Sequence, residues 1–199
     1  METTIGKKSK PKANRNQFNL RFYLGNAFIV LSLAVLFFTY YPFINLYLNP
    51  PKINANLNAK GYFIQIPKIS AQAPIILDVN QWDPKEYRQK LKKGVAHAKN
   101  TSLPGEKGTS FLFAHSSGPP WEISRYNTVF FRLGELKKGD EIIIVKDGKK
   151  LKYKVREKKE VWPTEISFLK DLTRNQLILQ TCTPIGTDLK RLLIFADPD

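Results

Sequence analysis

Residues 22–44 read FYLGNAFIVLSLAVLFFTYYPFI, 23 residues without one Asp, Glu, Lys or Arg. A helix needs about 20 residues to cross the hydrocarbon core of a bilayer, and inside that core the backbone must satisfy its own hydrogen bonds. The run is apolar on every face, unlike a helix that packs one side against a soluble core. Tyr23, Tyr40 and Tyr41 stand near its ends, where amphipathic rings favour the headgroup level. A cleaved signal peptide would carry a shorter apolar region, about 7–15 residues, with a small-residue exit. This run instead leaves through FFTYYPFI. The expectation is one uncleaved transmembrane helix over residues 22–44.

The flanks set its direction. Lys7, Lys8, Lys10, Lys12, Arg15 and Arg21 precede the run, whereas only Lys52 and Lys60 follow it closely. Lys and Arg stay on the cytoplasmic side. Residues 1–21 are therefore expected as a cytoplasmic basic tail, with everything beyond about residue 45 outside. Residues 49–61, NPPKINANLNAKG, are rich in Asn and Pro and lack apolar periodicity, so 45–60 read as a stalk and 61–199 as the globular domain. The formal net charge of +15 favours anionic partners. Outside the membrane, with no aromatic-basic platform, that partner is not nucleic acid. Cys182 is the single cysteine, so no intramolecular disulfide can form.

The outer domain is patterned mainly as strands. Short apolar or alternating runs at 62–66, 73–77, 110–114, 141–146, 149–158, 177–181 and 191–196 are separated by turn residues, a pattern that suits a sandwich or barrel. Asp147-Gly148 between two such runs predicts a tight hairpin in which both turn residues take positive φ. Both alternating sets of the last run, Leu193/Phe195 and Leu192/Ile194/Ala196, are apolar, as in a strand buried on both faces. One helix is marked by Asp83 as cap, Pro84 at its first position and Glu86 three residues after the cap. It should run to about Lys93 and stop at Gly94.

Three polar residues stand at strand ends. Cys182 closes the run LILQTC, His115 closes SFLFAH, and Arg191 opens RLLIFA. A thiol with an ordinary pKa near 8.5 needs a neighbouring positive charge to attack as thiolate, and His115 or Arg191 would supply one. Taken singly, each has a plain reading: a buried small apolar cysteine, a solvated loop histidine, a surface charge. Their joint placement beside irregular segments favours convergence at one rim.

In chain order, IPKI (66–69) with APIIL (73–77), GVAHAKNTSLPGEKG (94–108), FLFAHSS (111–117), FFRLGELKKGDEI (130–142), VWPTEISFL (161–169) and LQTCTPIGTDLKRLLIFA (179–196) resemble the segments of a sortase domain. The likeness covers about 61–199. It implies a mainly β fold: a closed barrel of about eight strands with short helices, preceded here by the single transmembrane helix. It implies Cys182 as nucleophile, His115 as general acid/base and Arg191 as the group holding substrate and stabilising the oxyanion. Thr181 and His97 would lie along the substrate groove. FAHSS departs from the more usual Gly before the histidine, and SSGPPWEISRYN (116–127) is long and Pro-rich, which bears on the shape of that groove.

The activity implied is cysteine transpeptidation: cleavage of an LPxTG-like sorting motif through a thioester, then transfer to an amine. The partners would be secreted proteins with C-terminal sorting motifs, an amine acceptor such as a cell-wall precursor or a pilin lysine, and the membrane. No cofactor is required. A groove calcium occurs in some relatives, but no acidic cluster here supports one. Pilin polymerisation is an alternative within the family. However, Asp83-Pro84 falls inside the domain rather than ahead of it as in a lid, and no second apolar run follows before Asp199. Other readings are a cysteine hydrolase with the same site and a non-catalytic tethered binding module. A metal site from His97, His115 and Cys182 fits no standard zinc spacing.

Overall fold

The computed structural model describes residues 15–49, 60–118, 126, 128–170 and 172–199. The basic tail through residue 14, the expected stalk over 50–59 and most of the Pro-rich stretch after His115 (119–125 and 127) lie outside the described residues. The chain divides into two compact units, residues 1–42 and 43–199.

Helix α1 spans Arg15–Leu48. Its part Leu20–Leu48 is long and apolar enough to cross a membrane. The helix contains the whole 22–44 run and continues four residues into the segment expected as a stalk. Pro42 lies inside it, where proline has no N–H to give the preceding turn.

Among the described residues the second unit has eight strands: β1 (Tyr62–Ile66), β2 (Ala71–Val79), β3 (Val95–Ala98), β4 (Thr109–Phe113), β5 (Glu141–Lys146), β6 (Lys149–Val161), β7 (Gln176–Thr183) and β8 (Lys190–Pro198). They close into a barrel in the order β1-β2-β3-β4-β7-β8-β6-β5, with β5 returning to β1. This is the mainly β, eight-stranded barrel expected. Two pairs are parallel, β2 with β3 and β4 with β7; such pairs need long crossovers rather than tight turns. Helix α2 (Pro84–Leu91) makes the first crossover.

Local chemistry explains several elements. Asp147 and Gly148 both have positive φ, 47° and 80°, and join β5 to β6 as the sequence predicts. The Asp147 side chain also accepts from Gly61 N–H at 2.8 Å, while Asp147 N–H donates to the Gly61 carbonyl at 3.0 Å. The hairpin tip is thus tied to the start of the barrel. Asp83 caps α2 by accepting from the N–H groups of Lys85 (2.9 Å) and Glu86 (3.2 Å). The helix ends at Leu91, two residues before the expected end. Gly94 has a different use from helix termination: a Cβ there would stand 2.2 Å from the Pro74 carbonyl oxygen, so only glycine lets the chain pass β2 on its way into β3.

Ile64, Ile66, Leu112, Ile142, Ile144, Leu177, Leu179 and Ile194 are all fully buried in the core. Leu192 through Ala196 are buried on both faces of β8, which lies between β7 and β6 as its double apolar pattern requires.

Candidate active site

The parallel register of β4 and β7 sets Phe113 opposite Gln180. The antiparallel register of β7 and β8 sets Cys182 opposite Arg191. Cys182 and Arg191 therefore share one row of the ladder, and His115 follows two residues after the end of β4, the strand on the other side of β7. Two bonds join the segment after β4 to β7. Ala114 N–H donates to the Gln180 carbonyl at 3.1 Å, and the Thr181 hydroxyl donates to the Ala114 carbonyl at 2.9 Å. Thr181 is buried, with its hydroxyl committed to this splice. Side chains alternate along a strand, so Cys182 and Gln180 project to the face opposite Thr181 and Leu179.

Arg191 Nη1 lies 3.6 Å from Cys182 Sγ and donates to the carbonyls of Asp188 (2.9 Å) and Lys190 (3.3 Å). Burial pushes the Cys182 thiol above its ordinary pKa. The Arg191 charge pulls it back, and Asp188 adds to the rise. The sulfur therefore rests as a thiol at neutral pH. Ser117, two residues after His115, accepts from Gly186 N–H at 2.9 Å. That bond fastens the segment after the histidine to the β7–β8 loop.

His115, Cys182 and Arg191 line one cleft of about 210 Å³. Phe111 and Phe113 form its floor, Trp82, Tyr87 and Leu91 one wall, and Ile166 and Phe168 the other. Ring contacts bind walls to floor: Tyr87 to Phe113 at 6.1 Å, Phe168 to Phe111 at 5.7 Å, and Phe111 to Phe113 at 5.9 Å. Sequence reasoning did not identify these walls. The only signal was large apolar side chains in otherwise polar stretches, NQWDP and TEISF. Trp82 is 63% exposed and Ile166 42%. A second cavity, about 420 Å³, also opens onto Cys182. Ser116, Ile185 and the Arg132–Glu135 ion pair are among its lining groups.

His97 stands elsewhere. It is 3% exposed in β3. Its Nδ1 accepts from Asp78 N–H at 3.4 Å. Its Nε2 meets the Ser102 carbonyl at 3.1 Å and the Thr101 hydroxyl oxygen at 3.0 Å. Thr101 gives its own proton to the Ala98 carbonyl, so the network suits a neutral ring protonated on Nε2. Burial holds the imidazole below its ordinary 6.5. Among the described residues no group of three or more His, Cys, Asp or Glu is placed to hold a metal ion.

The family model of the sortase domain matches residues 64–199. Sortase D of Bacillus subtilis (strain 168) is 32% identical over 136 residues, covering 66% of this chain and 60% of its own length. Sortase A of Bacillus anthracis is 26% identical over 146 residues, covering 72% of this chain and 63% of its own. The chain thus spans about three fifths of the length of these curated relatives. Among solved structures, sortase C-1 from Actinomyces oris matches with a TM-score of 0.57 and 32% identity, over 69% of this chain and 71% of that one.

Proposed function

The chain belongs to the sortase family, and on that premise we propose that it is a membrane-anchored cysteine transpeptidase acting through Cys182, His115 and Arg191. The observation that carries this reading is that the paired Cys182 and Arg191 and the nearby His115 line one aromatic-walled cleft.

An extended peptide with an LPxTG-like motif lies in the cleft. Cys182 Sγ attacks the carbonyl carbon at the cleaved bond while its proton passes to His115. The C–S bond forms, and His115 delivers the proton to the leaving nitrogen as the C–N bond breaks. A guanidinium has five N–H donors, and those not spent on the Asp188 and Lys190 carbonyls stabilise the negative charge on the carbonyl oxygen. In the second half an amine enters through the second cavity and attacks the thioester carbon. Its lost proton returns through His115 to the departing sulfur. Because two cavities meet at Cys182, acyl donor and amine need not exchange through one opening.

The apolar helix holds the enzyme at the membrane, with the basic N-terminal tail in the cytoplasm and residues 61–199 outside. Secreted proteins with C-terminal sorting motifs are the acyl donors, and an envelope amine such as a cell-wall precursor is the acceptor. The Asp83–Pro84 pair caps α2 within the barrel unit, which favours protein anchoring over pilin polymerisation with a lysine acceptor. Incubating the full chain in detergent with LPxTG-type peptides, with and without amine acceptors, tests this. The expected product is a new amide that forms only when amine is present. Hydrolysed peptide alone would mean a hydrolase, and no turnover would leave a binding module.

A further inference from the structure

One polar group in the cleft wall is not accounted for by the fold. Gln81 lies between the end of β2 and the cap of α2 and lines the cleft that holds Cys182. Its side-chain carbonyl oxygen is shut off from water and has no hydrogen-bond partner among the described residues. A buried acceptor in that condition costs stability. The surrounding turn does not depend on it. Asn80 Oδ1 accepts from Trp82 N–H at 3.0 Å, Asp83 N–H donates to the Asn80 carbonyl at 3.2 Å, and Asp83 caps the helix. An apolar side chain of similar length would serve the turn equally and remove the cost.

Gln81 has large apolar groups around it, Trp82 beside it and Ile166 on the other wall of the cleft. Apolar clefts of this kind fix the orientation of a ligand with a few placed polar groups. The residue as a whole is only half-buried and lines the cleft, which leaves its side-chain amide within reach of a ligand there.

We propose that Gln81 is a specificity residue of the acyl-donor cleft: its carbonyl accepts a main-chain N–H of the bound peptide, upstream of the bond that Cys182 attacks. The inference rests on the acyl-transfer reading above. An extended peptide turns an N–H toward a given wall at every second residue, and a buried acceptor without a partner gains a hydrogen bond by meeting it. A site built around such a bond discriminates strongly against a ligand that lacks the donor.

The test uses the full chain with a family of LPxTG-type peptides in which each N–H-bearing amide upstream of the cleaved bond, the proline amide excepted, is replaced in turn by an ester. Each replacement removes one N–H at almost constant shape. Acylation of Cys182 is read by intact mass, and kcat/KM is measured for each peptide. In the unaltered protein one ester position should lower kcat/KM about tenfold. Gln81→Leu should lose about tenfold on the all-amide peptide and lose nothing more on that ester peptide. Gln81→Glu, which keeps an acceptor, should retain the ester penalty. Melting temperatures of both variants confirm that they fold, and Gln81→Leu should melt no lower than the unaltered chain. Unchanged kcat/KM in Gln81→Leu, with the same ester penalties at every position, would overturn the proposal. Absence of any thioester in the unaltered protein would instead overturn the acyl-transfer reading itself.

Discussion

Thr181→Val removes one hydroxyl and almost no volume. The hydroxyl donates to the Ala114 carbonyl at 2.9 Å, from a side chain that is 3% exposed. Its loss leaves a carbonyl oxygen beside a methyl group, at a cost of about 1–3 kcal/mol. A domain of this size shifts its melting point by about 3–4 °C per kcal/mol, so the variant should melt roughly 3–12 °C lower. The same bond helps hold His115 near Cys182. A reacting group displaced by 1 Å loses up to about a hundredfold in rate. The remaining Ala114–Gln180 backbone bond at 3.1 Å limits the slip, and a loss of about tenfold in Cys182 acylation is expected. Thr181→Ser keeps the hydroxyl and should acylate at nearly the original rate. Thermal melting and single-turnover acylation read both quantities. Thr181→Val matching the unaltered protein in both would refute the argument. Equal losses in Ser and Val would move the cause to the methyl group.

Arg191→Ala removes the charge that offsets the burial of the Cys182 thiol. Alkylation of Cys182 by iodoacetamide near pH 7.5 should slow about fivefold, as expected for a charge interaction of about 1 kcal/mol partly open to solvent. The rise of that rate with pH should also move to higher pH. His97 is held neutral by burial, below its ordinary 6.5. The unfolded chain then binds a proton that the folded one refuses, so stability should fall as pH drops from about 6.5 toward the lowered folded value. Melting points between pH 7.5 and 5 should show the decline, and His97→Gln should reduce its slope. Asp83→Ala removes the α2 cap, with its bonds to Lys85 and Glu86 N–H. It should cost about 1 kcal/mol by melting.

Features carried by adjacent residues were legible in the sequence. The uncharged apolar run appears as α1, the Asp83-Pro84 signal as the start of α2, and Asp147-Gly148 as the β5–β6 turn. Strand β3 escaped because VAHA has four residues, two of them alanine, and its histidine reads as polar. That histidine is buried only because Asp78 N–H, Thr101 and Ser102 meet both ring nitrogens, and nothing local announces such a network. The expected groove role of His97 therefore rested on resemblance alone, and the described residues do not bring it to the cleft. Thr181, expected beside the nucleophile as a groove residue, is among the residues lining both cavities, and its hydroxyl bonds between strands. The parallel pairing of β4 with β7, which sets His115 beside Cys182, joins segments far apart in the chain. Their strand-end positions hinted at convergence, but only the register fixes which residues share a row.

The proposed function requires Cys182, His115 and Arg191 to work as one acyl-transfer unit. Intact-mass measurement of the full chain after brief mixing with an LPxTG-type peptide, without amine, tests it most directly. A mass increase equal to the acyl fragment is expected. The adduct should be abolished by Cys182→Ala, strongly slowed by His115→Ala and Arg191→Ala, and discharged to an amide when an amine is added. An adduct that forms at an undiminished rate without His115 or Arg191, or that survives loss of Cys182, would contradict it.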